Sequence, residues 1–382
     1  MKDIVVIGYS SRNIACSAKR AGYNVYSIDA FCDVDLLQCT KDARTLYPAE
    51  GKDIRSIDST SIIEMVNDFD VSPDAVVLGS GFELLDLSEL SCPVLNNPAS
   101  IMERISDKYT LSKELKTLQV PHPETYSLND AGSVDRPLML KPRCAGGGMF
   151  NRIVSTDEQV DNALEEISAI DPTLGAQDVI LQELVEGIPA SVSVIANGKQ
   201  AQAITVNEQL IGVPGLTNVP FAYCGNITPF ENPYASHMCR IAQDVCAQLG
   251  LIGSNGVDFM VTDKGPVIIE INARFQGSLD SVEMATGMNL FTTHLEAFDG
   301  VIPHRPVTDR YASRAILYAN NSVVITEDIQ NQIKRENTAD IPDTGYVAER
   351  NEPLTSILAA GKSRNEVCEK IRRTVERINA SL

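Results

Sequence analysis

Two acidic side chains in the second half of the chain form a pattern that suits a metal ion. Residues 256–274 read as two apolar strands joined by a short polar turn, which predicts a β-hairpin. With a three-residue turn, Asp258 lies opposite Glu270. Asn272 and Arg274 share the face of Glu270 because side chains alternate along a strand. Facing carboxylates favour a cation between them, and these oxygen ligands suit Mg²⁺. A solvent-facing acidic hairpin is the alternative, which the apolar opposite face of the hairpin argues against.

A lysine followed by glycines forms a second candidate site. Lys141 ends an apolar strand, and Gly146, Gly147 and Gly148 follow it closely. Consecutive glycines expose backbone N–H groups to an anion, and the lysine adds a positive charge beside them. The pattern predicts a flexible loop that covers phosphates. A plain hairpin turn is the alternative interpretation.

Residues 179–187 form an apolar strand that runs into a linker ending in glycine. A linker between two lobes can offer backbone C=O and N–H groups to a flat heterocycle. Taken alone, this segment is equally well explained as a strand end with exposed acids.

The N-terminal part predicts a parallel sheet with crossover helices, because apolar strand patterns at 4–8, 25–28 and 75–78 alternate with helical ones. The turn after the first strand lacks the glycine spacing of a dinucleotide site. Asp29 nevertheless stands where a ribose-binding carboxylate would lie. Because the glycine spacing is absent, an oxidoreductase that uses Gly8 and Asp29 is the least favoured alternative.

Composition narrows the functional class. The 382 residues carry 32 Lys and Arg against 51 Asp and Glu, a formal net charge of −19, which argues against nucleic-acid binding. The sequence shows neither an apolar run of transmembrane length nor a leader pattern before the first strand, so no membrane association is expected. Nine scattered cysteines without a CxxC pair predict reduced thiols in a cytoplasmic protein.

The order and spacing of Lys108, Lys141 with its glycines, the QELVEG linker at 182–187 and the acidic hairpin resemble the ATP-grasp superfamily. The stretch from Glu270 onward is most similar to carboligase-type members related to biotin carboxylase and carbamoyl-phosphate synthetase. The resemblance implies an α/β and α+β fold, in which a Rossmann-like pre-ATP-grasp domain precedes a two-lobed ATP-grasp domain. The implied boundaries are 1–97 for the pre-ATP-grasp domain, 98–185 for the helix and glycine-loop lobe, 186–306 for the metal-binding lobe and 307–382 for a C-terminal strand and helix extension.

The resemblance also implies roles for individual residues. Those implied to contact ATP are Lys108, Lys141, Gly146, Gly147, Gly148, Glu183, Val185 and Glu186. Those implied to hold one or two Mg²⁺ ions, or Mn²⁺ in their place, are Asp258, Glu270 and Asn272. Arg274 and Lys141 are the implied catalytic residues, stabilising the transferred phosphoryl group.

Substrate contacts are predicted from position. Arg12 and Glu83 follow strand ends of the N-terminal sheet, where Arg12 could bind a carboxylate and Glu83 an amine. Gln276 and Ser278 follow the hairpin and are further candidates.

Three positions depart from the family pattern. Ala273 stands where proline is common, and Ser191 and Ser193 stand near the position of an acid that contacts ribose. No His-x-Glu pair of the biotin carboxylase kind follows the linker, which weakens a role in bicarbonate chemistry.

The function expected from the resemblance is an ATP- and Mg²⁺-dependent ligase that activates a small carboxylate as an acyl phosphate for attack by an amine. A bicarbonate-using carboxylase or carbamoyl-phosphate-type enzyme is one alternative, and a non-catalytic nucleotide-binding regulatory protein is another. Small-molecule substrates and a homodimer are the expected partners.

Overall fold

The computed structural model describes residues 2–46 and 57–382, and its first unit is a parallel sheet flanked by helices. The elements of this unit are β1 (Asp3–Gly8), α1 (Arg12–Arg20), β2 (Asn24–Asp29), α2 (Val34–Cys39), β3 (Asp42–Thr45), α3 (Ser59–Asn67) and β4 (Ala75–Leu78). The strands lie in the order β3-β2-β1-β4 and all neighbours are parallel. The predicted parallel sheet is thus confirmed.

Burial on both faces explains the continuous apolar sequence of β1. Ile4 and Val6 pack into a cluster that includes Phe275, whereas Val5 and Ile7 pack into a separate cluster on the other face. Since side chains alternate along a strand, both faces need apolar residues. The contact with Phe275 also shows that this sheet rests against the segment that follows the acidic hairpin.

A small antiparallel sheet carries the glycine loop. Its helices and strands are α4 (Ala99–Ser106), α5 (Lys108–Thr117), β5 (Thr125–Ser127), β6 (Leu138–Pro142), β7 (Arg152–Val154), α6 (Asp157–Ile170) and β8 (Val179–Glu183). Two 3₁₀ helices, Leu128–Ser133 and Ala176–Asp178, complete it. The strand order is β5-β8-β6-β7, so the glycines lie in the connection between the neighbours β6 and β7.

A large antiparallel sheet carries the acidic hairpin. The next elements in the chain are β9 (Ile188–Asn197), β10 (Ala201–Ile211), β11 (Tyr223–Thr228), α7 (Ala235–Gln248), β12 (Ile252–Thr262), β13 (Gly265–Asn272), α8 (Leu279–Thr286) and α9 (Leu290–Phe298). Helix α7 packs on β9 and β10 through an apolar cluster that includes Met238, Ala242 and Val245. This packing buries one face of the sheet and leaves the acids on the other.

The C-terminal segment extends the same sheet. Its elements are β14 (Tyr311–Tyr318), β15 (Val323–Val324), α10 (Glu327–Arg335), β16 (Thr338–Ala339), β17 (Val347–Ala348), β18 (Pro353–Gly361) and α11 (Arg364–Asn379). The complete strand order is β13-β12-β9-β10-β11-β14-β18-β16, while β15 and β17 pair separately. The domain boundaries at residues 97, 185 and 306 stay predictions. Strands from both sides of residue 306 belong to the large sheet.

Two further sequence expectations can be compared with the structure. Cys16 of α1 and Cys39 of α2 form a disulfide, so the prediction that all thiols are reduced is wrong; packing of α1 on α2 brings their Cα atoms to 5.1 Å. The other cysteines are free thiols. Among the described residues, no helix combines the length and the apolar character needed to cross a bilayer.

Candidate active site

The predicted facing of the two acids is confirmed, although the predicted turn is wrong. Asp258 pairs with Glu270 across β12 and β13, but Thr262 pairs with Gly265, which leaves a two-residue turn. A bulge at Ile269 shifts the pairing by one residue: Phe259 pairs with Ile268, whereas the preceding residue Asp258 pairs with Glu270. Since a one-residue shift moves a side chain to the opposite face, the bulge is what places both carboxylates on one face.

The acids and the carboxamide form a compact set of oxygen ligands. Asn272 Nδ2 donates to Asp258 Oδ2 at 3.1 Å, and Gln209 on β10 also hydrogen-bonds to the Asp258 carboxyl. Burial, together with the charge of Glu270, raises the pKa of Asp258 to about 7. Asp258 and Glu270 are half-buried and repel each other, which a divalent cation relieves, so the donor chemistry fits Mg²⁺ or Mn²⁺.

This set contains two acids and an amide. Within the described part of the chain, no group of three or more His, Cys, Asp or Glu side chains is placed to hold a metal ion. A hard cation that takes further oxygens from water and phosphate suits such a sparse site better than zinc does.

Two buried lysines, one on α5 and one on the small sheet, face the acids. Lys108 begins α5, and its Nζ lies 3.5 Å from Glu270 Oε1 and donates to the carbonyl of Ala145 at 2.7 Å. Lys141 on β6 is 5% exposed. Burial and the nearby charge of Lys108 lower the pKa of Lys141 to about 7, against the opposing effect of Glu270. The cations of α5 and β6 and the anions of the hairpin therefore line the same space.

The glycine loop lies against the large sheet. Gly147 and Gly148 have φ values of +76° and +73°, and Tyr223 N–H donates to the Gly147 carbonyl at 3.0 Å. A Cβ atom on Gly148 would lie 1.9 Å from the carbonyl oxygen of Phe221, whereas one on Gly146 would meet nothing within 4 Å. The loop is thus closed onto the segment before β11, and Gly148 is the residue whose lack of a side chain permits it.

The linker between β8 and β9 joins the small sheet to the large one. Glu183 N–H donates to the Glu124 carbonyl at 2.9 Å, so this amide is already used within the small sheet. The side chains of Glu183 and Glu186 are exposed, and Val185 is half-buried. Contacts of this linker with adenine and ribose stay predictions.

Arg274 extends the polar face of β13. Its Nη2 donates to Asn272 Oδ1 at 3.0 Å, and its Nε forms an ion pair with Glu83 from the N-terminal sheet. The other carboxylate oxygen of Glu83 accepts from Gly81 N–H at 2.7 Å. Glu83, predicted to bind a substrate amine, is therefore already paired with Arg274.

Arg12 is not free to bind a substrate carboxylate. It is 4% exposed, its two Nη atoms donate to Asp280 at 3.1 and 2.7 Å, and its Nε donates to Asp340 at 2.8 Å. Arg314 binds the other oxygen of Asp340 at 2.6 Å. These pairs join α1, α8, β14 and the residue after β16, so Arg12 has a connecting role that its position in the sequence did not indicate.

Gln276 and Ser278 also have partners inside the protein. Gln276 Nε2 donates to the Arg274 carbonyl, and its Cγ occupies the space where a Cβ of Gly256 would lie. Ser278 is buried, and its Oγ lies 3.2 Å from Ser193 Oγ. The structure therefore places Ser278 in a buried polar layer rather than on an open cleft surface.

Sequence reasoning named Ser191, Ser193 and Ser278 but missed Asn207, which joins this layer, and Gln209. Asn207 Nδ2 lies within 3.2 Å of the hydroxyls of Ser191 and Ser193, and Ser191 pairs with Asp258 across β9 and β12. The sequence signal for these residues was the alternation of polar and apolar positions along β10. The same alternation occurs whether the polar face is buried or faces solvent.

The chain has relatives of known and unknown activity. It is 29% identical over 365 residues to an uncharacterised protein of Methanocaldococcus jannaschii, covering 93% of this chain and 87% of the relative. It is 28% identical over 243 residues to the 3-methyl-D-ornithine–L-lysine ligase of Methanosarcina barkeri, covering 62% and 59%. The chain spans only 18% of a further relative, the pyruvate carboxylase of Bacillus subtilis.

Solved structures and a family comparison address the fold. The biotin carboxylase domain of Hydrogenobacter thermophilus 2-oxoglutarate carboxylase has a TM-score of 0.74 at 15% identity, covering 98% of this chain and 89% of that one. The L-amino acid ligase of Bacillus licheniformis has a TM-score of 0.71 at 16% identity, with 98% and 97% covered. At these identities the likeness establishes the fold alone. Residues 105–278 match the ATP-grasp domain, so this part of the chain is an ATP-grasp domain.

Proposed function

We propose that this protein is an ATP- and Mg²⁺-dependent ligase that activates a small-molecule carboxylate as an acyl phosphate for attack by an amine. The main support is the position of two acids opposite two lysines: Asp258 and Glu270 face Lys108 and Lys141. The ornithine–lysine ligase and the L-amino acid ligase are similar proteins whose names describe ligases that act on amino acids, which supports it. A reaction that consumes ATP suits the cytoplasm.

ATP is proposed to lie between the two sheets. The phosphates meet Lys108, Lys141 and the backbone of Gly146, Gly147 and Gly148, while the linker residues Glu183 and Val185 offer backbone groups to adenine and Glu186 approaches the ribose. Two contacts of Lys108 support this arrangement, because its Nζ donates to the carbonyl of Ala145 beside the glycines and lies 3.5 Å from Glu270 Oε1.

Asp258, Glu270 and Asn272 would hold one or two divalent ions. The bound metal would neutralise charge on the phosphate oxygens during transfer. Arg274 and Lys141 add positive charge from the protein, and Arg274 is held in place by Asn272 and Glu83.

The chemistry has two steps. A carboxylate oxygen of the substrate attacks the γ-phosphorus of ATP, the bond to the β-phosphate bridging oxygen breaks, and ADP leaves. The nitrogen of the amine then attacks the carbonyl carbon, the C–O bond to phosphate breaks, and the amide nitrogen loses a proton. The closed glycine loop excludes water, which otherwise hydrolyses the acyl phosphate.

The assay that tests the proposal is ADP release with pairs drawn from the twenty proteinogenic amino acids. We expect Glu270→Gln to lower the release rate by about a hundredfold or more and to raise the Mg²⁺ concentration required, because it removes a metal-binding charge. Glu296→Gln, at an exposed position on α9, is the control and should behave as the wild type. Unchanged turnover and Mg²⁺ dependence in Glu270→Gln would refute the metal assignment.

The same assay separates the alternatives. A requirement for bicarbonate would identify a carboxylase or carbamoyl-phosphate-type enzyme, a reading favoured by relatives such as the pyruvate carboxylase. ATP binding without ADP release in any mixture would identify a regulatory nucleotide-binding protein. We further propose a homodimer, since one of the similar structures is described as a dimer, and light scattering of the purified protein tests this.

A further inference from the structure

The first residue of the glycine loop is joined to the start of α5 by an ion pair that the proposed ATP chemistry does not use. Arg143 directly follows β6, and Asp107 directly precedes α5. Arg143 Nε donates to Asp107 Oδ1 at 3.1 Å, and its Nη2 donates to Asp107 Oδ2. Two parallel hydrogen bonds between a guanidinium and a carboxylate fix the relative orientation of the two side chains as well as their distance.

Asp107 is held by the helix as well as by the arginine. Its carboxylate accepts from Tyr109 N–H at 2.9 Å and from Thr110 Oγ1 at 3.0 Å, so it also caps the N-terminus of α5. Burial raises the pKa of this carboxyl group, but the hydrogen bonds from Arg143, Tyr109 and Thr110 outweigh burial and hold the pKa below its usual range. Asp107 is therefore a charged group in a fixed place.

Arg143 is held by contacts of its own. Its guanidinium carbon lies 5.4 Å from the centre of the Tyr109 ring, within the distance at which a cation is attracted to an aromatic face. Its backbone N–H donates to the carbonyl of Asp178 at 2.8 Å, next to β8. The side chains of Arg143 and Asp107 are 35% and 15% exposed, so solvent screens the ion pair only partly.

The ion pair lies next to Lys108, which is proposed to bind the ATP phosphates. The carbonyl of Arg143 accepts from Lys108 N–H at 3.0 Å, and the carbonyl of Ala145 accepts from Lys108 Nζ at 2.7 Å. A lysine ammonium sits on a flexible stem, so its direction depends on the groups that surround it. A shift of the start of the loop would therefore move both the acceptors of Lys108 and the glycines that follow.

We propose that Asp107 and Arg143 are positioning residues for ATP: their ion pair holds the start of the glycine loop against α5 and so places Lys108 Nζ and the loop backbone for the phosphates. The inference rests on the nucleotide site of the proposed function, and it gives neither residue a contact with ATP. A loop that is already in place costs less to order when the phosphates bind. Loss of the ion pair should therefore weaken nucleotide binding even though every group proposed to touch the nucleotide remains.

A double-mutant cycle tests the inference through the affinity for a non-hydrolysable ATP analogue with Mg²⁺, measured by calorimetry on the whole chain. Asp107→Asn keeps an oxygen that caps α5 but removes the charge, and Arg143→Gln removes the guanidinium. Because both changes break the same ion pair, we expect each single variant to bind the analogue about tenfold more weakly. The double variant should then be no more than about threefold weaker than the weaker single variant.

Two results of the cycle would overturn the inference. Losses that multiply in the double variant, to about a hundredfold, would show that the two residues act independently, for example because Arg143 contacts the phosphates itself. An unchanged affinity in either single variant would show that the ion pair does not position the site.

Two further variants separate positioning from other effects. Glu124→Gln removes an exposed acid that pairs with exposed Lys116 of the same helix, so the analogue affinity should stay within about twofold of the wild type. Arg143→Lys keeps the positive charge but lacks the planar fork, and its affinity should lie closer to that of Arg143→Gln than to the wild type. Wild-type affinity in Arg143→Lys would mean that charge alone matters, which contradicts positioning. Thermal unfolding of each variant sets a temperature at which all are folded.

Failure of this inference differs from failure of the proposed function. Independent losses in the cycle, in a protein that releases ADP with an acid and an amine, contradict only the positioning role. Coupled losses in a protein that binds the analogue but releases no ADP with any substrate pair contradict only the ligase reaction.

Discussion

Glu83 and Arg274 are the charged side chains that connect the N-terminal sheet to the acidic hairpin. Their side chains are 15% and 19% exposed, so solvent screens the pair only partly. Arg274 in turn contacts Asn272, a predicted metal ligand. Because Glu83 contacts the arginine and belongs to another part of the fold, we assign it a positioning role rather than contact with the reacting atoms.

Glu83→Gln tests that role. The variant keeps the size of the side chain but removes its charge, and we expect kcat to fall about tenfold or more while the KM for ATP stays within about twofold. Glu89→Gln, an exposed acid nearby, is the control and should leave both constants unchanged. An unchanged kcat, or a KM for ATP that rises as much as kcat falls, would contradict the positioning role.

At the residue scale, sequence reasoning succeeded where strand alternation decides the outcome. Sequence reasoning placed Glu270 and Asn272 on one face by alternation, whereas the facing of Asp258 and Glu270 also depended on the bulge at Ile269. It failed for Arg12, whose partners Asp280 and Asp340 lie far along the chain and are brought together only by the tertiary fold. Long-range ion pairs leave no local pattern.

The elements that carry the site are a bulged hairpin and a glycine loop. The hairpin was predicted with the wrong turn, and the bulge at Ile269 compensated for the error. Nothing in an apolar run marks the residue that bulges, so only the structure could reveal it. The glycine loop was predicted from composition, but its partner, the carbonyl of Phe221 before β11, was not.

Gly148→Ala tests the closed position of the glycine loop. The new Cβ would meet the Phe221 carbonyl oxygen at 1.9 Å and would sit at a φ that disfavours a side chain. We expect about a tenfold or larger rise in the KM for ATP, with more ADP released per amide formed because water enters. Gly198→Ala, in the turn between β9 and β10, has a similar φ of +84° and open space, and it should resemble the wild type. Equal behaviour of the two variants would show that the loop does not close in this way.

At the scale of the whole molecule, the N-terminal sheet, the lobes and the C-terminal strands are joined by buried polar contacts. Besides the Arg12 pairs, His294 on α9 accepts from Ser254 N–H of β12 through Nδ1 at 2.9 Å. Its Nε2 therefore carries the proton and donates to the Leu95 carbonyl at 3.0 Å. The ring is 1% exposed, so it connects the linker after β4 to the large sheet from inside the protein.

His294 makes the stability depend on pH. Burial lowers its pKa to about 4, while an unfolded histidine titrates near 6.5. The unfolded chain therefore binds this proton more readily between these values, and the contribution of His294 to the free energy of unfolding falls as the pH drops from about 6.5 to about 4. This group alone contributes a loss of about 3 kcal/mol over that window.

Urea denaturation across the same pH range measures this effect. His294→Asn is less stable at neutral pH and lacks this contribution, so its change in unfolding free energy between pH 6.5 and 4 should differ from that of the wild type by about 3 kcal/mol, whereas His237→Asn, at an exposed position on α7, should match the wild type. Identical slopes in the two variants would show that another group is responsible.

Transfer of labelled oxygen is the most direct test of the central claim, activation of a carboxylate by ATP. The protein is supplied with ATP, Mg²⁺, an amine and a carboxylic acid labelled with ¹⁸O in both carboxylate oxygens, and the products are followed by ³¹P NMR. The account predicts ADP and inorganic phosphate that carries one ¹⁸O atom per amide formed. Unlabelled phosphate, or release of AMP and pyrophosphate, would contradict it.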